Sequence, residues 1–216
     1  MVRKIIGLTH GIESLASRSK LFYLAASKYY RNVIENEALL ADISMDDHIL
    51  CIGGGICPFS AILFHQLTGA EVTVIDNCME CVSEAEQIIN RMGLDKYVHA
   101  VYQDGGSIGF SLSKFSVIHF ALQVFPMEFV FPRIKRQVLP GTKILVRRPK
   151  NCLNMMYSQF TGSLLTCCRH IAHQKACNIG RTLLYVKQER LNEEKMAEAV
   201  PVPADTSAAF SYPCAV

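Results

Sequence analysis

The stretch from His48 to Pro58, His-Ile-Leu-Cys-Ile-Gly-Gly-Gly-Ile-Cys-Pro, decides the fold of this chain. Its first residues, His48 to Ile52, are mostly apolar and suit a buried strand. Three glycines follow, and Pro58 then opens a segment in which apolar residues recur at helical spacing. A strand, a glycine turn and a helix in that order are typical of a nucleotide-binding site. The glycines let backbone amides approach the ligand, and the helix N-terminus faces it.

An acidic residue closes the second predicted strand, which runs from Glu71 to Ile75. Asp76 follows this strand directly, about 20 residues beyond the glycines, and Asn77 comes next. An aspartate in this place can accept hydrogen bonds from both hydroxyl groups of a ribose. A structural alternative is that Asp76 caps the helix predicted from about Met79.

Two further predicted strands end in residues that suit a ligand site. The strand from Tyr97 to Tyr102 leads to Asp104 and Gly105, where a carboxylate can accept from an adenine amino group. The strand from Phe115 to Phe120 leads to Ala121–Leu122, whose small and apolar side chains leave room for a ligand. Because ligands of parallel sheets lie beyond the carboxyl ends of the strands, we expect all of these residues to line one site.

The alternation of strands and helices predicts an α/β fold, a Rossmann-like and mostly parallel sheet with helices on both faces. A helix is predicted over residues 155–170, and a late strand from Arg181 to Lys187 then suits a seven-stranded sheet whose last strand is inserted antiparallel. We divide the chain into a short N-terminal helical cap (1–43), a Rossmann-like nucleotide-binding domain (44–190) and a mobile C-terminal tail (191–216).

The composition is that of a globular protein. Half of the 216 residues are hydrophobic, 19% are charged, and a net charge of +3 from scattered basic residues does not indicate a nucleic-acid partner. No apolar run is long enough for a transmembrane helix, and the N-terminal residues lack the apolar region and cleavage site of a signal peptide. We therefore expect a cytoplasmic protein without a membrane partner, and the high hydrophobic fraction suggests a homodimer.

The nine cysteines lie in apolar runs or predicted helices, which is typical of reduced thiols. Cys78 and Cys81 have the spacing of a metal-binding or redox pair. A zinc site needs a second pair or well-placed histidines, and no matching pair is visible in the sequence. We therefore expect packed cysteines and no metal site.

The glycine turn favours S-adenosylmethionine over a dinucleotide. A dinucleotide site requires a third glycine beside the pyrophosphate, and Pro58 stands in that place. S-adenosylmethionine has no phosphate, so it needs a glycine turn for its amino-acid part, an acidic group for the ribose and a slot for adenine. A nicotinamide-dependent oxidoreductase is the less favoured alternative.

At this level of detail the sequence resembles class I S-adenosylmethionine-dependent transferases and, more narrowly, nicotianamine synthase-like proteins. The family's turn reads Gly-x-Gly-Pro-Leu-Pro-Leu-Thr, and the residues here are Gly53-Gly-Gly-Ile-Cys-Pro-Phe-Ser60. The preceding helix of the family carries a tyrosine and an Asn-Glu-Ala segment, similar to Tyr30 and Asn36–Ala38. Beyond the fifth strand the family has an arginine and a Leu-Tyr pair, similar to Arg147 and Met156–Tyr157.

The resemblance implies that Asp76 binds the ribose, that Asp104 lies near the adenine, and that Gly53 and Gly55 lie under the methionine moiety. Tyr30 would close the pocket near the transferred group and is the implied catalytic residue, and Arg147 and Tyr157 are the implied substrate residues. The complete predicted cofactor site is Gly53, Gly54, Gly55, Pro58, Asp76, Asn77, Asp104, Gly105, Ala121 and Leu122.

These residues predict an S-adenosylmethionine-dependent transferase, described most simply as a methyltransferase-like enzyme acting on a small-molecule nucleophile such as an amine or amino acid. One alternative is transfer of a 3-amino-3-carboxypropyl group to an amine, as the narrower resemblance implies. The by-product would be S-adenosylhomocysteine in the first case and methylthioadenosine in the second. Another alternative is a non-catalytic accessory protein that binds the cofactor, since no general base stands out in the sequence.

Overall fold

The computed structural model describes residues 20–157, 169–174 and 178–189, and within these ranges it contains four α-helices and seven strands. A 3-10 helix, Asn151–Met156, follows the fifth strand. The helices are α1 (Lys20–Ala41), α2 (Phe59–Thr68), α3 (Met79–Arg91) and α4 (Met127–Gln137). The strands are β1 (His48–Ile52), β2 (Glu71–Asp76), β3 (Val98–Tyr102), β4 (Val117–Phe120), β5 (Lys143–Pro149), β6 (Arg169–Ala172) and β7 (Ile179–Val186).

All seven strands form one sheet in the order β3-β2-β1-β4-β5-β7-β6. The strands from β3 to β5 pair in parallel, and β7 is inserted antiparallel between β5 and β6. This arrangement confirms the predicted Rossmann-like α/β fold with seven mostly parallel strands and an antiparallel late strand. The register places Arg147 of β5 opposite Thr182 of β7.

The central strands are buried on both faces, and their sequences are therefore almost continuously apolar. In β1 every residue from Ile49 to Ile52 is buried. Side chains alternate between the faces, so that Cys51 belongs to the core shared with α1, α2 and α3, and Leu50 belongs to the core shared with α4. The sheet is thus covered by helices on both faces, as predicted.

The helix predicted over residues 155–170 is wrong at its C-terminal end. Residues 158–168 lie outside the described ranges, but Arg169 and His170 begin β6 rather than ending a helix. β6 is an edge strand with three of its four residues exposed, so it lacks the apolar alternation that distinguishes a half-buried strand in sequence.

The cap and tail boundaries at residues 43 and 191 remain predictions, because residues 1–19 and 190–216 lie outside the described ranges. Helix α1 starts at Lys20 and ends at Ala41. In the ranges that the structure covers, none of the helices combines the length and apolar character needed to cross a membrane. The cytoplasmic location and the homodimer also remain predictions.

Candidate ligand-binding site

The glycine turn follows β1 directly and is fixed to the neighbouring strand. The amides of Gly53 and Gly54 donate hydrogen bonds to the carbonyl oxygen of Ile75, over 2.9 and 3.2 Å. Gly53 and Gly55 have φ angles of +84° and +62°, which side-chain-bearing residues rarely adopt. A Cβ atom on Gly54 would clash with Val74 Cγ2. The turn therefore requires glycine at each position, for backbone conformation at two and for space at the third.

Asp76 is held at the end of β2 by two backbone amides. Its Oδ2 accepts from the Gly55 amide over 2.8 Å, and its Oδ1 accepts from the Cys78 amide over 3.0 Å. A carboxylate has lone pairs left for a ligand after two such bonds. The residue that caps α3 is Cys78, whose sulfur accepts from the Cys81 amide, so the alternative of Asp76 as the cap is wrong.

The same cap accounts for the spacing of Cys78 and Cys81, since a cap contacts the amide three residues later. In the described part of the chain, no three or more histidine, cysteine, aspartate or glutamate side chains are grouped as metal ligands would be.

An open cleft of about 310 Å³, which we call the outer cleft, lies beyond the ends of β1, β2 and β3. Asp104 lies in its wall, with Oδ1 accepting from the Gly106 amide over 2.8 Å. A Cβ atom on Gly105 would lie 2.8 Å from Ile52 Cγ2, so only glycine lets the chain pass this close to β1. Of the predicted cofactor residues, the outer cleft brings together Gly53, Gly55, Asp76, Asn77, Asp104 and Gly105.

A smaller cavity of about 60 Å³, the inner chamber, lies on the other side of the glycine turn, toward α1 and α2. Gly53, Gly55 and Gln123 line both spaces, so the two meet at the turn. The start of α2 forms part of the chamber wall through Ser60. The predicted residues that line the chamber are Tyr30, Gly53, Gly54, Gly55, Pro58, Ala121, Leu122 and Arg147.

Tyr30 and Tyr157 are placed differently. The ring of Tyr30 is stacked on Phe59 with a centroid separation of 5.7 Å and faces the Arg147 guanidinium at 5.8 Å. Tyr157 packs near Val33 and lines neither the outer cleft nor the inner chamber. The structure thus brings Tyr30 to the chamber, whereas Tyr157 lies beside it.

Arg147, which the resemblance assigned to substrate, forms a buried ion pair with Glu37 of α1. Its Nε and Nη2 atoms donate to the two carboxylate oxygens of Glu37, each over 2.8 Å, and Nη1 donates to Ser60 Oγ over 2.9 Å. Thr182 Oγ1 also donates to Glu37, over 2.6 Å. Both charged side chains are almost fully buried, so the pair joins α1 to the middle of the sheet.

Burial by itself would raise the pKa of Glu37, but the Arg147 guanidinium, with a smaller contribution from His119, holds it well below its ordinary value. The pKa of Arg147 is raised because the attraction of Glu37 outweighs burial. Both groups are therefore charged at neutral pH. Burial raises the pKa of the nearby Cys51 thiol to about 12, so this thiol stays protonated and does not act as a nucleophile.

His119 of β4 also lies in the chamber wall and is fully buried. Its Nε2 atom is 3.4 Å from Glu37 Oε2, but this contact does not have hydrogen-bond geometry. Neither ring nitrogen has a hydrogen-bond partner among the described residues. Burial, and then the positive charge of Arg147, lower the pKa of His119, so the ring is neutral at neutral pH.

The sequence alone did not assign His119 or Ser60 to the site. His119 follows apolar residues in a buried strand, where a histidine is a candidate by residue type only. The position of His119 near the end of its strand could have indicated the site, because this position pairs with Cys51, which lies beside the glycine turn.

Comparison with known proteins finds solved structures that have a similar architecture. No protein-family model matches the sequence, and no curated protein matches it either. Among solved structures, a mutant of the nicotianamine synthase-like protein MtNAS in complex with S-adenosylmethionine is 23% identical, with a TM-score of 0.71 over 87% of this chain and 77% of that chain.

A second structure of MtNAS, in complex with MTA and tNA, is 23% identical, with a TM-score of 0.69 over 85% of this chain and 71% of that one. An RNA methyltransferase from Salinibacter ruber in complex with S-adenosyl-L-homocysteine is 16% identical, with a TM-score of 0.56 over 75% of this chain and 94% of that one. These likenesses confirm that the chain has the class I S-adenosylmethionine-dependent methyltransferase fold.

Proposed function

We propose that this protein is an S-adenosylmethionine-dependent transferase that acts on a small-molecule nucleophile. The observation that carries the proposal is the outer cleft, where Asp76, Asp104 and the glycine turn meet at successive strand ends. Ligands of open α/β sheets bind at this edge. The crystal structures of MtNAS with S-adenosylmethionine and of the RNA methyltransferase with S-adenosyl-L-homocysteine, both of this fold, support the choice of cofactor.

The residues present fit the cofactor. In the proposed arrangement the carboxylate of Asp76 accepts from the ribose hydroxyl groups, and Asp104 accepts from the adenine amino group. Gly54 and Gly105 have no room for a Cβ atom, because Val74 and Ile52 occupy its place, so glycine at both positions keeps the backbone of the site close to the sheet. The methionine moiety extends over Gly53 and Gly55 toward the inner chamber, where Tyr30 closes the site.

When bound, S-adenosylmethionine supplies a carbon made electrophilic by the adjacent sulfonium. An in-line displacement at this carbon needs little acid–base chemistry beyond removal of a proton from an amine nucleophile. The residues around the glycine turn therefore contribute mainly by holding the two reactants in line. Tyr30, fixed by Phe59 and Arg147, is the residue we propose beside the reacting carbon.

A second candidate function is transfer of a 3-amino-3-carboxypropyl group to an amine. The structure of MtNAS in complex with MTA and tNA favours it, because that protein has the same fold over most of this chain. A non-catalytic protein that binds the cofactor is the third candidate.

Product analysis separates the three candidates. Incubation with S-adenosylmethionine and a panel of amines and amino acids should yield S-adenosylhomocysteine for methyl transfer and methylthioadenosine for aminocarboxypropyl transfer. Neither by-product would be formed by an accessory protein.

Isothermal titration calorimetry with S-adenosylhomocysteine tests cofactor binding directly. Asp76→Ala should weaken binding by about 1–3 kcal/mol, because the ribose hydroxyl groups lose a charged acceptor. Asp95→Ala is the matched control, since Asp95 is exposed and lies outside the outer cleft. Absence of any binding by the unchanged protein would refute the proposed function. Equal affinity of Asp76→Ala and the unchanged protein would show that Asp76 only holds the turn.

A further inference from the structure

A third cavity, which we call the side recess, lies between α1 and the residues that follow β6. Its volume of about 350 Å³ is enough for a small organic molecule. The described residues that line it line neither the outer cleft nor the inner chamber, so the side recess is separate from the proposed cofactor site. Its polar side chains are those of Tyr29, Asn32, Glu35, Asn36, His173 and Gln174.

His173, in the wall of the side recess, has a buried ring nitrogen without a partner. The residue is only 4% exposed. Its Nε2 atom bonds Thr182 Oγ1 over 2.8 Å, whereas its Nδ1 atom has no hydrogen-bond partner within the described ranges. Thr182 does not line the recess. Because buried polar atoms are nearly always paired, a molecule in the recess is the partner that Nδ1 requires.

The protons around Thr182 determine what kind of partner His173 needs. Glu37 is ionised, so the single proton of the Thr182 hydroxyl is donated to it, over 2.6 Å. The same hydroxyl must then accept from His173, which places the ring proton on Nε2. Burial lowers the pKa of His173, so the ring is neutral at neutral pH and Nδ1 carries a lone pair. The missing partner is therefore an N–H or O–H donor.

The other side chains of the recess favour a cation as that donor. Glu35 contributes a carboxylate, and the asparagine and glutamine side chains contribute amide oxygens. No lysine or arginine is found among the described residues of its walls. Arg31 pairs with Glu35 over 3.0 Å, but both side chains are exposed, and such a pair is weak enough for a ligand to replace it. A primary ammonium group has three N–H donors for acceptors of these kinds.

The side recess is not placed to hold the acceptor of the transferred group. Tyr29 lines the recess, Asn178 lines the inner chamber, and a hydrogen bond from the Tyr29 hydroxyl to Asn178 Oδ1 lies between the two spaces. The glycine turn lines only the outer cleft and the inner chamber among these three cavities. An amine held at His173 is therefore a second ligand and does not face the reacting carbon.

We propose that the side recess binds a small molecule that bears a primary ammonium group, which donates to His173 Nδ1 and to the Glu35 carboxylate. The site is separate from those of the cofactor and the acceptor. The inference goes beyond the proposed function and does not depend on it.

The test is a titration of the full chain, labelled with nitrogen-15, with butylammonium chloride at neutral pH, followed by nuclear magnetic resonance. The Nδ1 resonance of His173 should shift saturably, because an acceptor nitrogen responds to a new hydrogen bond. The ring of His170 should not respond, since His170 is exposed on β6 and does not line the recess. Butyltrimethylammonium has the same charge and chain but no N–H group, and it should bind about tenfold more weakly or worse.

Two variants assign the site, and both are followed through the backbone amides of Asn32 and Asn36. His173→Leu removes the acceptor nitrogen and should weaken butylammonium about tenfold or more, whereas His170→Leu is the matched control and should leave its affinity unchanged. Glu35→Gln removes the carboxylate and should also weaken binding. Because Glu35 is an exposed surface residue, this variant keeps the test decisive if His173→Leu does not fold. Its control is Glu86→Gln, on the exposed side of α3.

Absence of a saturable shift would mean that the recess holds water alone, which overturns the proposal. Equal affinities for butylammonium and butyltrimethylammonium would overturn it as well, because the site would attract any cation. Displacement of butylammonium by saturating S-adenosylhomocysteine would place the amine in the cofactor site, with the same consequence. A protein that binds butylammonium in the recess but does not bind S-adenosylhomocysteine would refute the proposed function alone, so the two failures are distinguishable.

Discussion

Replacing Glu37 with glutamine should lower the free energy of unfolding by about 3–5 kcal/mol, because it leaves the buried Arg147 guanidinium without a counter-charge. Glutamine has one oxygen in place of two, so it can keep the bond to Arg147 Nε and the one to Thr182. Its amide nitrogen then opposes Arg147 Nη2 at the position where a bond of 2.8 Å existed. The lost charge-assisted bond alone is worth about 1.5–3 kcal/mol, and the unpaired charge adds the remainder.

Urea unfolding at pH 7 measures this loss, followed by far-ultraviolet circular dichroism because the chain has no tryptophan. A double-mutant cycle with Glu37→Met and Arg147→Met provides the control. Each single change should cost several kcal/mol, but the double variant should cost less than either, because no charge is left without its partner. A loss below about 1 kcal/mol for Glu37→Gln, or additive losses in the cycle, would refute a buried ion pair that joins α1 to the sheet.

The pH dependence of the same pair has a fixed sign. The pKa of Glu37 lies below its ordinary value of 4.5 in the folded protein, so its contribution to stability is complete above that pH. It is lost as the pH falls from 4.5 through the folded-state pKa. The difference in unfolding free energy between the unchanged protein and Glu37→Gln should therefore be constant near neutrality and shrink in acid. A difference that grew below pH 4.5 would contradict the lowered pKa of Glu37.

Two further predictions concern the glycine turn and the buried histidines. Gly54→Ala should lower the unfolding free energy by about 1–3 kcal/mol, since its Cβ clashes with Val74. A second change, Val74→Ala, should recover part of the loss, and Gly109→Ala should have no effect because its Cβ would meet an ordinary contact at 3.6 Å. Burial lowers the pKa of both His119 and His173, so stability should fall as the pH drops below 6.5, by at most about 1.4 kcal/mol per pH unit for each histidine. Thermal melts between pH 7.5 and 5.5 should show a shallower dependence for His119→Leu, and an equal slope would contradict a buried neutral ring.

The order of strands and helices was predictable because each element has a local pattern. β1 is buried on both faces and reads as a continuous apolar run, and Gly53 and Asp76 follow strands whose ends can be located in sequence. β6 escaped prediction because an exposed edge strand has neither an apolar run nor a clear alternation. The sequence likewise could not show whether Asp76 or Cys78 caps α3, since both residues stand at the start of the helix.

By itself, the sequence determined that a glycine turn follows the first strand and that carboxylates close the second and third strands. These features are local, because they depend on residues that are close together in the chain. Only the tertiary structure decided what lies behind the turn. Glu37 and Arg147 are separated by 110 residues, and Glu37 and Thr182 by 145. Their meeting, and the inner chamber that they form with His119, depend on which strands are neighbours in the sheet, and residue patterns along the chain do not encode that contact.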